Sequence, residues 1–141
     1  MKSTLRLALG TAVLSAALPA FAAGQQASLP KPKTEGAITY LSGGIGQDEA
    51  AAMKQAERDY PLSMIFTEGK RNEYLADVQV SIKDHTGKTV LQAPSNGPIM
   101  LVKLPHGQYQ VTAQVNGKAL HRTAKVADKG DTHLWFMWPS A

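Results

Sequence analysis

The clearest structural signal in the chain lies in residues 104–126, which read LPHGQYQVTAQVNGKALHRTAKV. Asn116-Gly117 suits the two-residue type I′ turn of a β-hairpin, because both central residues of that turn need a positive φ. A two-residue loop sets four cross-strand pairs, which are Val115 with Lys118, Ala113 with Leu120, Val111 with Arg122 and Tyr109 with Ala124. Residues 104–126 therefore predict two paired antiparallel strands.

The two faces of this hairpin differ in polarity. Alternation along the strands places six mostly apolar residues on one face, which are Tyr109, Val111, Ala113, Leu120, Ala124 and Val126. The other face carries polar residues, which are Gln108, Gln110, Thr112, Gln114, His121, Thr123 and Lys125. Such alternation is typical of an antiparallel sheet that covers a core with one face and meets water with the other.

The N-terminus has the pattern of a secretory signal peptide. Lys2 and Arg6 supply a basic start, residues 7–18 an apolar run, and Ala20-Phe21-Ala22 a small-x-small cleavage site. We therefore expect a signal peptide over residues 1–22, cut after Ala22, and a periplasmic or secreted mature protein. No later segment reaches the roughly 20 apolar residues of a membrane span, so no span is expected.

Composition limits the mature chain further. Removing 22 residues from 141 leaves 119, the size of one domain. The sequence contains no cysteine, so neither a disulfide framework nor a cysteine-linked lipid is available. The 15 basic and 11 acidic residues become 13 and 11 without Lys2 and Arg6. A net charge of about +2 without a basic cluster argues against binding to nucleic acid.

Residues 23–36 are polar, contain Pro30 and Pro32, and predict a flexible leader before a single domain over residues 37–141. A helix is predicted over residues 47–60, since Asp48 and Glu49 suit its start and Pro61 follows its end. Besides the hairpin, short strands are predicted at 37–41, 62–67, 74–83, 88–92, 99–104 and 132–138. About seven short strands predict an antiparallel β-sandwich, transthyretin-like or immunoglobulin-like, with one short inserted helix.

Residues 76–126 resemble the carboxypeptidase regulatory-like domain. The residues that carry the resemblance are Val78-x-Val80-x-Ile82-x-Asp84-x-x-Gly87-x-x-Val90 and Leu104-Pro105-x-Gly107-x-Tyr109-x-Val111-x-Ala113. The resemblance implies a transthyretin-like or prealbumin-like sandwich, and the first part of the chain is similar to small exported proteobacterial proteins that carry this domain. It implies no activity, because such domains are appended to many exported proteins and a scaffold does not fix a function.

The motifs of related enzymes are missing from the sequence. A zinc carboxypeptidase needs a His-x-x-Glu pair, but the four histidines are followed three positions later by Lys88, Tyr109, Ala124 and Phe136. The chain ends Trp138-Pro139-Ser140-Ala141 instead of the Tyr-Arg-Gly-Ser-like tail of the hydroxyisourate hydrolases. A Gly-x-Ser-x-Gly elbow and a thiol nucleophile are missing as well. We expect a non-enzymatic protein without a cofactor.

Two further ligand hypotheses have structural alternatives. The strand, glycine loop and helix around Gly43-Gly44-Ile45-Gly46 have the order of a phosphate-binding loop, but the carboxylates of Asp48 and Glu49 would repel a phosphate, which favours a structural turn. His121 and His133 are expected on neighbouring strands and could supply half of a metal site. No third ligand is obvious, which favours the alternative of solvent-facing histidines.

The last strand, residues 132–138, is apolar on both faces, so its register decides what it buries. A two-residue turn at Lys129-Gly130 would turn Trp135 and Met137 towards the core, whereas one extra bulged residue would bury Leu134, Phe136 and Trp138. We expect the second register, because it buries three large side chains and brings Trp138 to Arg122 as a cation–π partner.

This register leaves a candidate partner patch on the outer face, which consists of His121, Thr123, Lys125, His133, Trp135 and Met137. The alternative is that the helix or the loop at 68–72 covers the face. The sequence thus predicts an exported, non-enzymatic binding or accessory module of the periplasm, with an unknown periplasmic protein or a glycan as partner. The alternative function is a carrier of a small ligand, a glycan or a metal.

Overall fold

A computed structural model of the chain describes residues 29–128 and 131–140. The predicted signal peptide, most of the predicted leader and the predicted turn at Lys129-Gly130 lie outside these residues. The elements in chain order are β1 Lys33–Glu35, β2 Ile38–Gly43, α1 Gln47–Ala56, a 3₁₀ helix Glu57–Asp59, β3 Leu62–Glu68, β4 Glu73–Tyr74, β5 Val78–Lys83, β6 Thr89–Ser95, β7 Ile99–Lys103, β8 Gly107–Val115, β9 Lys118–Val126 and β10 Thr132–Trp138.

The strands form two sheets. Sheet A has the order β1-β2-β7-β3-β10, with the short β4 beside β3, and sheet B has the order β6-β5-β8-β9. The predicted β-sandwich with one short helix is confirmed. One pairing departs from the antiparallel expectation, because β10 runs parallel to β3.

The core lies between the two sheets. Side chains that alternate along each strand meet there: sheet A supplies Met64, Phe66, Phe136 and Trp138, and sheet B supplies Val80, Ile82, Val111 and Ala113. The ring centroids of Phe66 and Phe136 are 5.5 Å apart, and those of Phe136 and Trp138 are 6.2 Å apart. Fully burying one large apolar side chain stabilises a fold by roughly 1.5–3 kcal/mol, so this aromatic cluster is a main source of stability.

The β8–β9 hairpin has the predicted register. Val115 pairs with Lys118 and Tyr109 pairs with Ala124. Asn116 has a φ of 51° and Gly117 a φ of 76°, the positive values that a type I′ turn requires. The predicted apolar face points into the core, with Leu120 only partly buried.

Tyr109 fixes the connection between β7 and β8, where the chain crosses from sheet A to sheet B. Its hydroxyl donates a hydrogen bond to the carbonyl oxygen of Pro105 at 2.8 Å, the arrangement called a tyrosine corner in immunoglobulin-like sandwiches. Burial raises the pKa of Tyr109, and the charge of Asp84 adds to the effect. The tyrosine of the Leu-Pro-x-Gly-x-Tyr motif therefore has a structural role.

The last strand has the register that the sequence favours. Phe136 and Trp138 are buried as expected and Leu134 is only partly buried, whereas Trp135 is 51% exposed and Met137 is 44% exposed. The expected cation–π contact of Arg122 with Trp138 is wrong, because a different aromatic ring lies beneath the guanidinium. The Arg122 guanidinium lies 5.4 Å from the ring centre of Phe136. The indole N–H of Trp138 donates to the carbonyl oxygen of Lys118 at 3.0 Å, which joins the edges of the two sheets.

Two sequence-based boundaries need correction. The predicted leader ends in a strand, because β1 pairs with β2 and the Glu35 carboxylate accepts a hydrogen bond from the backbone N–H of Gln92 at 2.9 Å. The strand predicted at 74–83 is divided into β4 and β5. Asp77, with a φ of 58°, lies between them where the chain passes from sheet A to sheet B.

The helix covers part of the outer face of sheet A. It begins at Gln47 as predicted, but its regular part ends at Ala56 and a 3₁₀ helix carries the chain on to Asp59. An apolar cluster joins the helical segment to the sheet: Met53 and Tyr60 pack with Leu41, Ile99 and Leu101. None of the helices within residues 29–128 and 131–140 has the length and apolar character needed to cross a membrane.

Candidate functional site

The six residues of the predicted partner patch are divided between the two sheets. His133, Trp135 and Met137 lie on the outer face of sheet A, and His121, Thr123 and Lys125 lie on the outer face of sheet B. β10 pairs with β3 in sheet A, so β9 and β10 are not partners within one sheet. They are neighbours across the edges of the two sheets, where the Thr132 hydroxyl donates to the carbonyl oxygen of Lys125 at 2.7 Å.

A cavity of about 600 Å³ lies beside these β10 residues on the outer face of sheet A. We call it the outer groove, and its main lining residues are Glu57, Ile65, Thr67, Tyr74, His133 and Trp135. The groove lies between the end of the helical segment, the chain around β4, and β10. Its volume falls within the roughly 300–1,000 Å³ of ordinary ligand pockets.

Two aromatic side chains of the outer groove are exposed. Trp135 is 51% exposed and Tyr74 is 59% exposed. The indole N–H of Trp135 donates to Thr67 Oγ1 at 2.8 Å, which fixes the ring and leaves its face for contact with a ligand. Within the part of the chain that the structure describes, five large apolar side chains are exposed, and Tyr74, Trp135 and Met137 are three of them. This concentration is typical of an interaction site.

His133 has two polar neighbours at the other end of the outer groove. Its Nδ1 shares a hydrogen bond with Ser63 Oγ and lies 3.9 Å from Glu57 Oε1. Ser63 and His133 stand side by side because they are paired in the register of β3 and β10. A catalytic triad uses both imidazole nitrogens, one for the serine and the other for the carboxylate. Here both partners approach Nδ1 and Ser63 is 4% exposed, so the arrangement differs from that of a triad.

The turn before β4 forms the rim of the outer groove. The backbone N–H of Gly69 donates to the carbonyl oxygen of Trp138 at 2.9 Å, and that of Asn72 donates to Gly69 at 3.1 Å. Arg71 and Asn72 thereby reach the lining. The sequence allowed either an open partner patch or a covered face, and the outer face of sheet A has a part of each kind. The helix covers the strands β2 and β7, while the part formed by β3 and β10 stays open.

The glycine loop before the helix is a structural turn, as expected. The Glu49 carboxylate accepts hydrogen bonds from the backbone N–H groups of Gly44 at 2.8 Å and Ile45 at 3.3 Å. A carboxylate of the chain itself thus occupies the amides that would bind a phosphate. Glu49 also uses the positive end of the helix dipole.

The histidines are spread over the molecule. His121 Nδ1 pairs with Thr112 Oγ1 at 3.0 Å on sheet B, and His106 Nδ1 lies 2.9 Å from an exposed Asp128 carboxylate oxygen. Within residues 29–128 and 131–140, no three His, Asp or Glu side chains converge as metal ligands. His121 and His133 lie on different sheets, and the Nδ1 of each already has a hydroxyl partner.

Sequence reasoning identified Trp135, Met137 and His133 as outward-facing but missed the rest of the outer groove. Glu57, Ser63 and Tyr74 reach it only through the folding of the helix, β3 and β4 around one space. One signal was available for Tyr74, since a single aromatic residue follows the polar run at 68–73. The contact of Ser63 with His133 depends on a pairing between strands about 70 residues apart, which the local pattern does not reveal.

No family model matches the chain, and none of the curated proteins is similar enough to it in sequence to count as a match. What the protein does must therefore be inferred from its fold and its outer groove. Together these define a β-sandwich with an open groove on one outer face.

Proposed function

We propose that the protein is an exported, non-enzymatic binding or accessory module of the periplasm, of the carboxypeptidase regulatory-like kind, and that it binds its partner through the outer groove. The observation that carries this proposal is the exposure of Trp135 and Tyr74 at one cavity of about 600 Å³. Aromatic side chains with one polar group and a large apolar face are enriched at the energetic centres of interfaces.

Three features support the accessory-module part of the proposal. The basic, apolar and small-x-small order of residues 1–22 is typical of export. The strands that carry the family-like motifs, β5 to β9, include all of sheet B and the tyrosine corner. Both polar partners of His133 approach the same ring nitrogen, which differs from the two-nitrogen arrangement of a hydrolytic triad.

Affinity capture from a periplasmic extract tests the proposal. The tagged wild-type protein should retain a partner that Trp135→Ala loses. His121→Ala is the matched control, because His121 is exposed on the outer face of sheet B and should leave capture unchanged. Equal capture by wild type and Trp135→Ala, or loss in His121→Ala alone, would show that the outer groove is not the binding site.

A carrier of a small ligand is the second candidate, and the volume of the outer groove favours it. A ligand that binds the native state raises the melting temperature in proportion to the logarithm of its concentration above Kd. A thermal-shift panel of metals, glycans and peptidoglycan fragments would therefore reveal such a ligand. The carrier hypothesis requires a ligand that raises the melting temperature of the wild-type protein but not that of Trp135→Ala.

A further inference from the structure

The outer groove continues beyond sheet A. A second hollow of about 490 Å³ lies against the first half of the helix, and Tyr74 lines both cavities. The other residues of this second hollow are Gly44, Gly46, Gln47, Ala50, Ala51 and Lys54. Because both spaces border one exposed tyrosine, we infer a path with Trp135 at one end and the glycine loop at the other. This shape suits an elongated ligand.

The strand beneath the middle of this path, β3, offers side chains and no free edge. Ile65 is paired with Ile99 on one side and with Trp135 on the other. Thr67 is paired with Tyr74 and Met137. An extended peptide that adds to a sheet needs an edge with unpaired backbone groups, and β3 has a neighbour on each side here. A ligand that lies over β3 is therefore recognised through side chains.

The lining combines aromatic faces with polar groups of both kinds. Glu57 accepts hydrogen bonds, Arg71 donates them, and the Asn72 amide does both. One carboxylate and one guanidinium give the outer groove no excess of either charge. A sugar ring matches this combination, because its C–H face is apolar and its hydroxyl groups both donate and accept. An amphipathic helix would instead require a continuous apolar groove, which these polar residues interrupt.

We propose that the outer groove and the second hollow together bind an oligosaccharide chain, with Trp135 and Tyr74 as two stacking platforms along its length. The inference rests on the proposed function, since it names the ligand class of the same groove. Trp135 is held for this role by its hydrogen bond to Thr67. Tyr74 stands at the junction of the two cavities, where a second sugar unit would lie.

Isothermal titration calorimetry with defined oligosaccharides tests this inference. The probes are chitin-, cellulose- and starch-derived oligomers of about two to six units. At least one series should bind, with an affinity that rises with chain length as the second hollow is filled. Trp135→Ala should weaken binding of every oligomer at least tenfold. Tyr74→Ala should weaken the longest oligomer more than the shortest, and His121→Ala should bind like wild type.

Two results would overturn the inference. One is that no oligomer binds to the folded wild-type protein, and the other is that Trp135→Ala binds as tightly as wild type. Near-ultraviolet circular dichroism of each variant shows whether it is folded. If no saccharide binds while a protein is captured in a Trp135-dependent manner, the oligosaccharide assignment fails and the proposed function stands. If neither a saccharide nor a Trp135-dependent partner is found, both fail.

Discussion

At the scale of single residues, Asp84 holds the turn between β5 and β6 together. Its Oδ1 accepts hydrogen bonds from the Thr86 hydroxyl at 2.6 Å, the Thr86 backbone N–H at 2.9 Å and the Lys88 backbone N–H at 3.1 Å. These bonds, that from the Thr86 side chain most of all, hold the pKa of Asp84 below its ordinary value of 3.8. The ionised carboxylate is the form that closes the turn.

A carboxyl with a lowered pKa in the folded state stabilises the fold above its unfolded pKa. That contribution is lost as the pH falls through the folded value. Asp84→Asn should therefore melt below wild type at neutral pH, and the difference should shrink in acid below about pH 3.8. Melting curves across this range measure the difference in melting temperature, with Gln114→Ala, an exposed residue of β8 without a titratable group, as control. A difference between Asp84→Asn and wild type that is the same at all pH values would contradict this assignment.

The contact between Ser63 and His133 leads to a second prediction. Because both polar partners of His133 approach Nδ1 and Ser63 is buried, esterase, peptidase and hydroxyisourate assays should give rates no higher than buffer. The wild-type protein and Ser63→Ala should be indistinguishable in these assays. Turnover that disappears in Ser63→Ala and His133→Ala, but persists in His121→Ala, would mean that the protein is a hydrolase.

At the scale of elements, the β8–β9 hairpin depends on the backbone at its turn. Gly117 has a φ of 76°, and a β-branched residue there is strained by roughly 1–3 kcal/mol. Gly117→Val should lower the free energy of unfolding by about that amount in chemical denaturation. Asn116→Gly is the matched control, since glycine adopts the φ of 51° at that position without strain. Equal effects of the two substitutions would refute the type I′ turn.

Alanine substitutions on the two faces of the last strand should differ in their effect on the free energy of unfolding. Phe136 is fully buried between Phe66 and Trp138, so Phe136→Ala should cost roughly 3–5 kcal/mol. Trp135 is half exposed, so Trp135→Ala loses its hydrogen bond to Thr67 and only part of its apolar burial, and should cost less than Phe136→Ala. Denaturant melts of both variants measure the contrast. A larger loss for Trp135→Ala than for Phe136→Ala would reverse the register of β10.

Some features of the strands can be predicted from the local sequence, and others cannot. The register of the hairpin follows from Asn116-Gly117 and the alternation around it, and the inward side of β10 follows from the size of its side chains. The partner of β10 does not follow, because pairing with β3 joins residues about 70 positions apart. The strand β1 was missed for a similar reason, since its three polar, exposed residues are held by β2 and not by their own pattern.

At the scale of the whole molecule, the helix and the turn before β4 divide the outer face of sheet A. The helix buries one part through Met53 and Tyr60, and the turn is tied to the end of β10 through Gly69. The outer groove is the space that these elements leave over β3 and β10. Its residues come from separate parts of the chain, so the exposure of Trp135 was predictable but the groove around it was not.

The proposed function requires that Trp135 stand in an open groove that a partner closes. Acrylamide quenching of Trp138→Phe measures this exposure, because the variant keeps Trp135 as its one tryptophan. Trp135 should be strongly quenched in the free protein, as its 51% exposure requires, and protected once the captured partner is bound. Protection already in the free protein, or equal quenching with and without the partner, would contradict the claim.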